Sequence, residues 1–207
     1  MRECRFCNIV KKIGDAYKEE NKIIADSDKF FAISSVGALV EGWVLIVPKE
    51  HSCSMKDLYT GKEFVRFTNT VVQAIIENYG PVIAFEHGPN CEGSETSCGT
   101  DHAHIHIVPY NSITKKLDET GLKWENCRAS EISNMVGNNE YLFYCDLDGK
   151  WEDPNGRVHI LEKPISQFFR QVIAEDLGTF EKYNYKTNPD TELTIKTAQR
   201  LGKYFNG

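Results

Sequence analysis

The sequence predicts an α+β fold, on three observations. An unbroken apolar run lies between Gly42 and Pro48, apolar residues recur at three- and four-residue steps from Phe64 to Tyr79, and residues 102–109 alternate strictly. Trp43-Val44-Leu45-Ile46-Val47 is apolar at every position, which suits a strand buried on both faces. Phe64, Phe67, Val71, Val72, Ile75, Ile76 and Tyr79 form one face of a helix that Gly80-Pro81 stops. Alternation places side chains two apart on the same face of a strand, roughly 6.6 Å from each other.

The other elements follow in chain order. Phe30-Phe31-Ala32-Ile33 reads as a strand after a polar stretch, and Val82-Ile83-Ala84-Phe85 restarts the β pattern after the helix. Residues 87–101 are rich in Gly, Ser, Thr, Pro and Asn and read as a loop. Residues 111–140 are polar, with a linker expected at Gly137-Asn138-Asn139. Tyr141–Cys145 and Arg157–Leu161 read as a hairpin turned through Asp146–Gly149. Ile165, Phe168, Phe169, Val172, Ile173 and Leu177 have helical spacing between Pro164 and Gly178. A last helix is expected over residues 190–203, and no internal repeat is visible.

The 207 residues suffice for one domain, or for a domain with an extension. With 41% hydrophobic and 26% charged residues the chain has the composition of a globular protein, and no window approaches the ~18 apolar residues of a membrane span. The N-terminus has no apolar signal core, so a cytoplasmic location and no membrane partner are expected. Seven cysteines, an odd number in a chain of this size, are expected to be reduced thiols. The pair Cys4/Cys7 then reads as a metal or redox element. A net charge of −6 argues against a nucleic-acid platform but leaves room for a small anionic ligand, held by local cations and helix-end amides.

Three of the six histidines, His102, His104 and His106, fall at alternate positions of one expected strand. A face of three imidazoles is costly to bury and odd to leave idle, so it marks a candidate site. His87 and His159 stand singly and read as packing residues. Alternating histidines can also ligate a metal, although only Asp101 stands nearby to complete a hydrolytic set.

His102-Ala103-His104-Ile105-His106-Ile107-Val108 resembles the His-φ-His-φ-His-φ-φ signature of the histidine-triad family, φ being apolar. Two further blocks support the resemblance: Gly42 to His51, similar to paired strands ending in Val-Ile-Pro-Lys-x-His, and the Cys-x-Phe-Cys-x-Ile pattern from Cys4 to Ile9. It implies an antiparallel sheet with helices over residues 1–110, followed by a C-terminal α+β extension over 111–207. It also implies a nucleotide hydrolase in which His104 attacks an α-phosphate while His106 stabilises the charge that develops. The alternatives are a nucleotidyltransferase, or a nucleotide- or RNA-associated binding module with little turnover. Ser97, Gly99 and Thr100 of the preceding loop are expected to bind substrate, together with Ser35 and with Glu86, which stands where many members have Asn or Gln. Phe85-Glu86-His87-Gly88 and the Cys98 loop look like a divergent branch, similar to the histidine-triad-like domains of RNA-debranching-associated splicing proteins. Trp43 occupies the place of a further histidine in many members.

By the same resemblance, zinc-bearing members imply a closed structural zinc site of Cys4, Cys7, His51 and His102, with no metal needed for the chemical step. A homodimer is also implied, unless the extension blocks its interface. The helix around Phe168–Ala174 reads as core, with Arg157, Lys163 and Arg170 as the residues able to reach over the site instead.

Overall fold

The computed structural model describes residues 4–97 and 100–206. Their eight strands are β1 (Ile23–Asp26), β2 (Phe30–Ser34), β3 (Val44–Pro48), β4 (Val82–Gly88), β5 (Ile105–Pro109), β6 (Glu125–Arg128), β7 (Tyr141–Leu147) and β8 (Asn155–Ile160). They form one sheet in the order β1-β2-β3-β5-β4-β7-β8-β6, and every neighbouring pair is antiparallel. The expected α+β class with an antiparallel sheet is therefore observed.

The strands of the sequence analysis follow their apolar runs. In β2 and β3 every residue is buried, as an apolar run without alternation requires when both faces of the sheet are covered. One face carries α2 (Lys62–Tyr79) and α6 (Glu192–Asn206), with Phe64, Val71 and Ile75 packed among Tyr59, Phe143 and Trp151. The other carries α1 (Arg5–Lys11) and α5 (Phe168–Asp176), with Phe6 and Phe169 packed among Trp43, Phe85 and Tyr144. Gly88 permits a close strand approach, since a Cβ there would lie 2.1 Å from the Tyr141 ring.

The structure differs from the sequence expectation in four places. β5 begins at Ile105 rather than His102 because the backbone before it bonds to loops: His102 N–H donates to the Thr100 carbonyl at 2.8 Å and Ala103 N–H to the Ser52 carbonyl at 2.6 Å. α5 starts only at Phe168, because Gln167 takes a left-handed conformation at φ 56°. Residues 111–140 hold α3 (Thr114–Glu119), β6 and α4 (Ile132–Val136), so Gly137 caps a helix at φ 54° where a linker was expected. Finally, β4 pairs with β7 over seven positions, from Val82 with Leu147 to Gly88 with Tyr141. The stretch beyond residue 110 thus continues the same sheet and supplies both cores. No helix among the described residues is long and apolar enough to cross a membrane.

Candidate functional site

The loop that delays β5 also separates the three histidines. His102 turns toward the N-terminal segment, where its Nδ1 lies 3.2 Å from Cys4 Sγ and 3.6 Å from Cys7 Sγ. Cys7 Sγ is 3.4 Å from His51 Nδ1, and the four ligand atoms all lie within 4.8 Å of one another. His102 Nε2 sits 2.7 Å from the Pro48 carbonyl, which only accepts, so Nε2 carries the proton and the Nδ1 lone pair faces the thiols. Tetrahedral Zn–S and Zn–N bonds would hold such ligands roughly 3.3–3.8 Å apart. The donor set, the tautomer and the spacing all fit a bound metal ion.

His104 and His106 line a pocket of about 530 Å³, its open mouth included, together with Arg5, Phe6, Ser35, His87, Thr100, Gln167, Arg170 and Tyr185. His104 Nδ1 lies 2.8 Å from the His102 carbonyl, which fixes the proton on Nδ1 and leaves the Nε2 lone pair for chemistry. His106 has the opposite tautomer. The buried Trp43 indole N–H donates to His106 Nδ1 at 2.9 Å, and an indole can only donate, so His106 carries its proton on Nε2. The two rings lie 4.9 Å apart between centroids. One therefore presents a lone pair and the other an N–H.

Both rings are held neutral. Burial lowers the His104 pKa, the His102 carbonyl opposes that, and the charge on Arg5 adds to the lowering. Burial also takes His106 well below its ordinary value, helped by its histidine neighbours and Arg170. Burial lowers His87, which lies 6.2 Å from His106, to about 3. His87 Nε2 accepts the Phe169 N–H at 3.4 Å.

The pocket is closed by the second half of the chain. Arg170 is buried, with its guanidinium 4.9 Å over the Trp43 ring and 5.6 Å over Tyr185, and it donates to the carbonyls of Tyr183 and Gly37. α5 is thus core through Phe169 and pocket wall through Arg170. Arg157 instead pairs with Asp118 at 2.5 Å. His87, expected only as a packing residue, also lines the pocket, as do Gln167 and Tyr185, which the sequence did not single out. For His87, its place three residues beyond the apolar Val82–Ala84 run was the available signal; for Gln167 and Tyr185 the sequence offers none.

Ser35 and Thr100 line the pocket. Gly99 lies outside the described residues, as does the Ser97 side chain. Glu86 requires a correction as a substrate-binding candidate. It is fully buried on the opposite face of the sheet from its neighbours Phe85 and His87, whose rings both pack against His106. Its carboxylate accepts from Met55 N–H at 2.6 Å, from the Tyr141 hydroxyl at 2.5 Å and from the Tyr59 hydroxyl. Burial pushes this carboxyl up to about 7, against those hydrogen bonds and the charge of Lys56.

An antiparallel sheet with a His-φ-His-φ-His segment entering a central strand defines a histidine-triad-like protein. Over residues 1–122 the chain matches the family described as "Protein similar to CwfJ C-terminal", and it belongs to that family. No curated protein sequence matches it. Similar solved structures include a hypothetical histidine triad nucleotide-binding protein from Sulfolobus tokodaii, at 21% identity and TM-score 0.40, covering 51% of this chain and 68% of that one. A HIT family hydrolase from Clostridium thermocellum is 18% identical at TM-score 0.39, covering 55% and 95% of the two chains. A Zn-bound histidine triad family protein from Mycobacterium smegmatis is 25% identical at TM-score 0.37, covering 55% and 78%.

Proposed function

We propose that the protein hydrolyses a nucleotide at its α-phosphate through a covalent nucleotidyl-histidine, with His104 as nucleophile. The observation that carries this reading is the pairing of opposite tautomers in one pocket: a neutral His104 with a free Nε2 lone pair beside a His106 that presents Nε2–H. His104 Nε2 attacks phosphorus, and its Nδ1–H stays on the His102 carbonyl throughout, which disperses the positive charge of the phosphorylated ring. His106 donates to an oxygen on which charge grows, and Arg170 adds a fixed positive charge in the pocket wall. Ser35 and Thr100 are the remaining polar contacts assigned to the substrate.

Cys4, Cys7, His51 and His102 bind zinc in this reading, in a closed site with no place for substrate. The metal supplies structure. It holds His102, whose carbonyl orients His104, and ties it to the N-terminal helix.

The test is mass spectrometry after rapid mixing with diadenosine tetraphosphate or adenosine 5′-phosphoramidate. The expected result is a nucleotidyl adduct in the wild type and none in His104→Ala, with the variant still folded. Turnover by His104→Ala at the wild-type rate would refute the mechanism.

A further inference from the structure

His104 has a counterpart on the strand beside its own. β4 and β5 pair antiparallel with Phe85 opposite His106, and the same register carried two residues further sets His87 opposite His104. The strands have stopped pairing by that point, because β5 begins only at Ile105. Both histidines line the pocket. Phe85 stacks on His106 with ring centroids 4.5 Å apart and meets His87 edge-on at 6.0 Å, so the three rings share one face of the sheet. His104 is thus flanked by His106 along its own strand and by His87 across from it.

The start of α5 fixes what His87 can offer. Phe169 is the second residue of that helix, and its N–H has no carbonyl within the helix to bond. It donates to His87 Nε2 at 3.4 Å, and a backbone N–H can only donate, so the His87 proton stands on Nδ1. Among the described residues the Phe169 N–H is the one hydrogen-bond partner of this ring, which leaves Nδ1–H without a protein acceptor. Burial keeps the ring neutral, and the fields of His104 and Arg170 act in the same direction. His87 therefore brings to the pocket a donor that does not titrate at working pH. A phosphate held against His104 Nε2 has more than one non-bridging oxygen, and His106 Nε2–H serves only one of them.

Resting on the function proposed above, we propose that His87 is a catalytic residue: its Nδ1–H donates to one non-bridging oxygen of the phosphate that His104 attacks, while His106 serves a second. No proton is transferred. His87 keeps its hydrogen as the His104 Nε2–P bond forms and breaks, and its hydrogen bond strengthens as charge grows on the oxygen. The second half of the chain then takes part in the chemistry, because Phe169 sets the tautomer of a donor in the pocket.

The first measurement is NMR of the histidine rings in the wild type, with AMP and with adenosine, the His87 signals being those missing from His87→Gln. The expected result is a ring protonated at Nδ1, whose Nδ1 proton moves downfield with AMP and stays in place with adenosine. A shift with both ligands would assign the donor to the nucleoside and overturn the proposal, as would no shift with AMP bound. Failure of AMP to bind would overturn it together with the hydrolase reading. The second measurement is kinetic, on adenosine 5′-phosphoramidate. His87→Phe should lower kcat about ten- to a hundredfold with KM little changed, the loss of a hydrogen bond to a charged acceptor. His87→Gln, whose amide both accepts and donates, should recover most of that loss. A packing role alone would lower the thermal midpoint of His87→Phe and leave its kcat at the wild-type value, which overturns the proposal. A wild type that binds AMP without turnover refutes the hydrolase reading instead, and the NMR comparison still decides whether His87 holds the phosphate.

Discussion

Trp43 and Glu86 are single residues whose surroundings set the protonation of the groups around them. The Trp43 indole has no acceptor nitrogen and no accessible pKa, so it holds His106 in one tautomer at every working pH, which an imidazole in its place would not. Trp43→Phe keeps the ring and removes the donor. Turnover should fall roughly tenfold, and the ¹⁵N spectrum of His106 should change from one tautomer to a mixture. An unchanged spectrum would remove Trp43 from the mechanism. Glu86 shows the converse, a carboxyl whose pKa burial has raised from 4.5 to about 7. Between these values the native state binds more protons than the unfolded chain, so this group's stabilisation is complete below 4.5 and is lost as pH rises through 7. Depressed histidines such as His87 act in the opposite sense, losing stability as pH falls below 6.5. The difference in unfolding free energy between wild type and Glu86→Gln isolates the carboxyl. It should fall on the order of 3 kcal/mol from pH 4.5 to 7.5, and a flat difference would contradict the assignment.

At the scale of elements, legibility followed length and period. β2, β3, α2 and the β7–β8 hairpin were visible because each carries four or more apolar residues in one clear period. β6 reads Glu-Asn-Cys-Arg and buries only Cys127, and α4 has five residues, too few to show a period. The triad was legible because it lies in one contiguous motif, whereas the candidate metal set of Cys4, Cys7, His51 and His102, spread from residue 4 to residue 102, was legible only through the family resemblance. Gln167 and Tyr185 were not, since nothing local marks a residue brought to the pocket by a distant fold-back. α1 also lies below the length at which a helix is stable alone, at seven residues, and buries only Phe6 and Ile9. The proposed zinc is what would fasten it to the loop before β5. Cys4→Ser should lose zinc by elemental analysis and lower the thermal midpoint markedly, because structural zinc binding contributes directly to folding. Wild-type metal content in that variant would refute the four-ligand site.

For the whole molecule, a net charge of −6 says less than where the cations lie, since the pocket draws Arg5 from one end of the chain and Arg170 from near the other. The same holds for the cores. The family match ends at residue 122, yet β4 finds its seven-residue partner β7 beyond that point, and Phe143, Trp151 and Leu201 fill one core while Tyr144 and Phe169 fill the other. A chain cut after Leu122 would leave β4 as a bare edge and empty both cores of large side chains, each loss of a buried aromatic costing about 3–5 kcal/mol. Two such losses approach the full stability of a domain of this size. The shortened chain should therefore show no cooperative thermal transition and no AMP binding by calorimetry, while residues 1–207 show both. A 1–122 fragment that unfolds cooperatively and binds AMP would make the second half an accessory, and Arg170 with it.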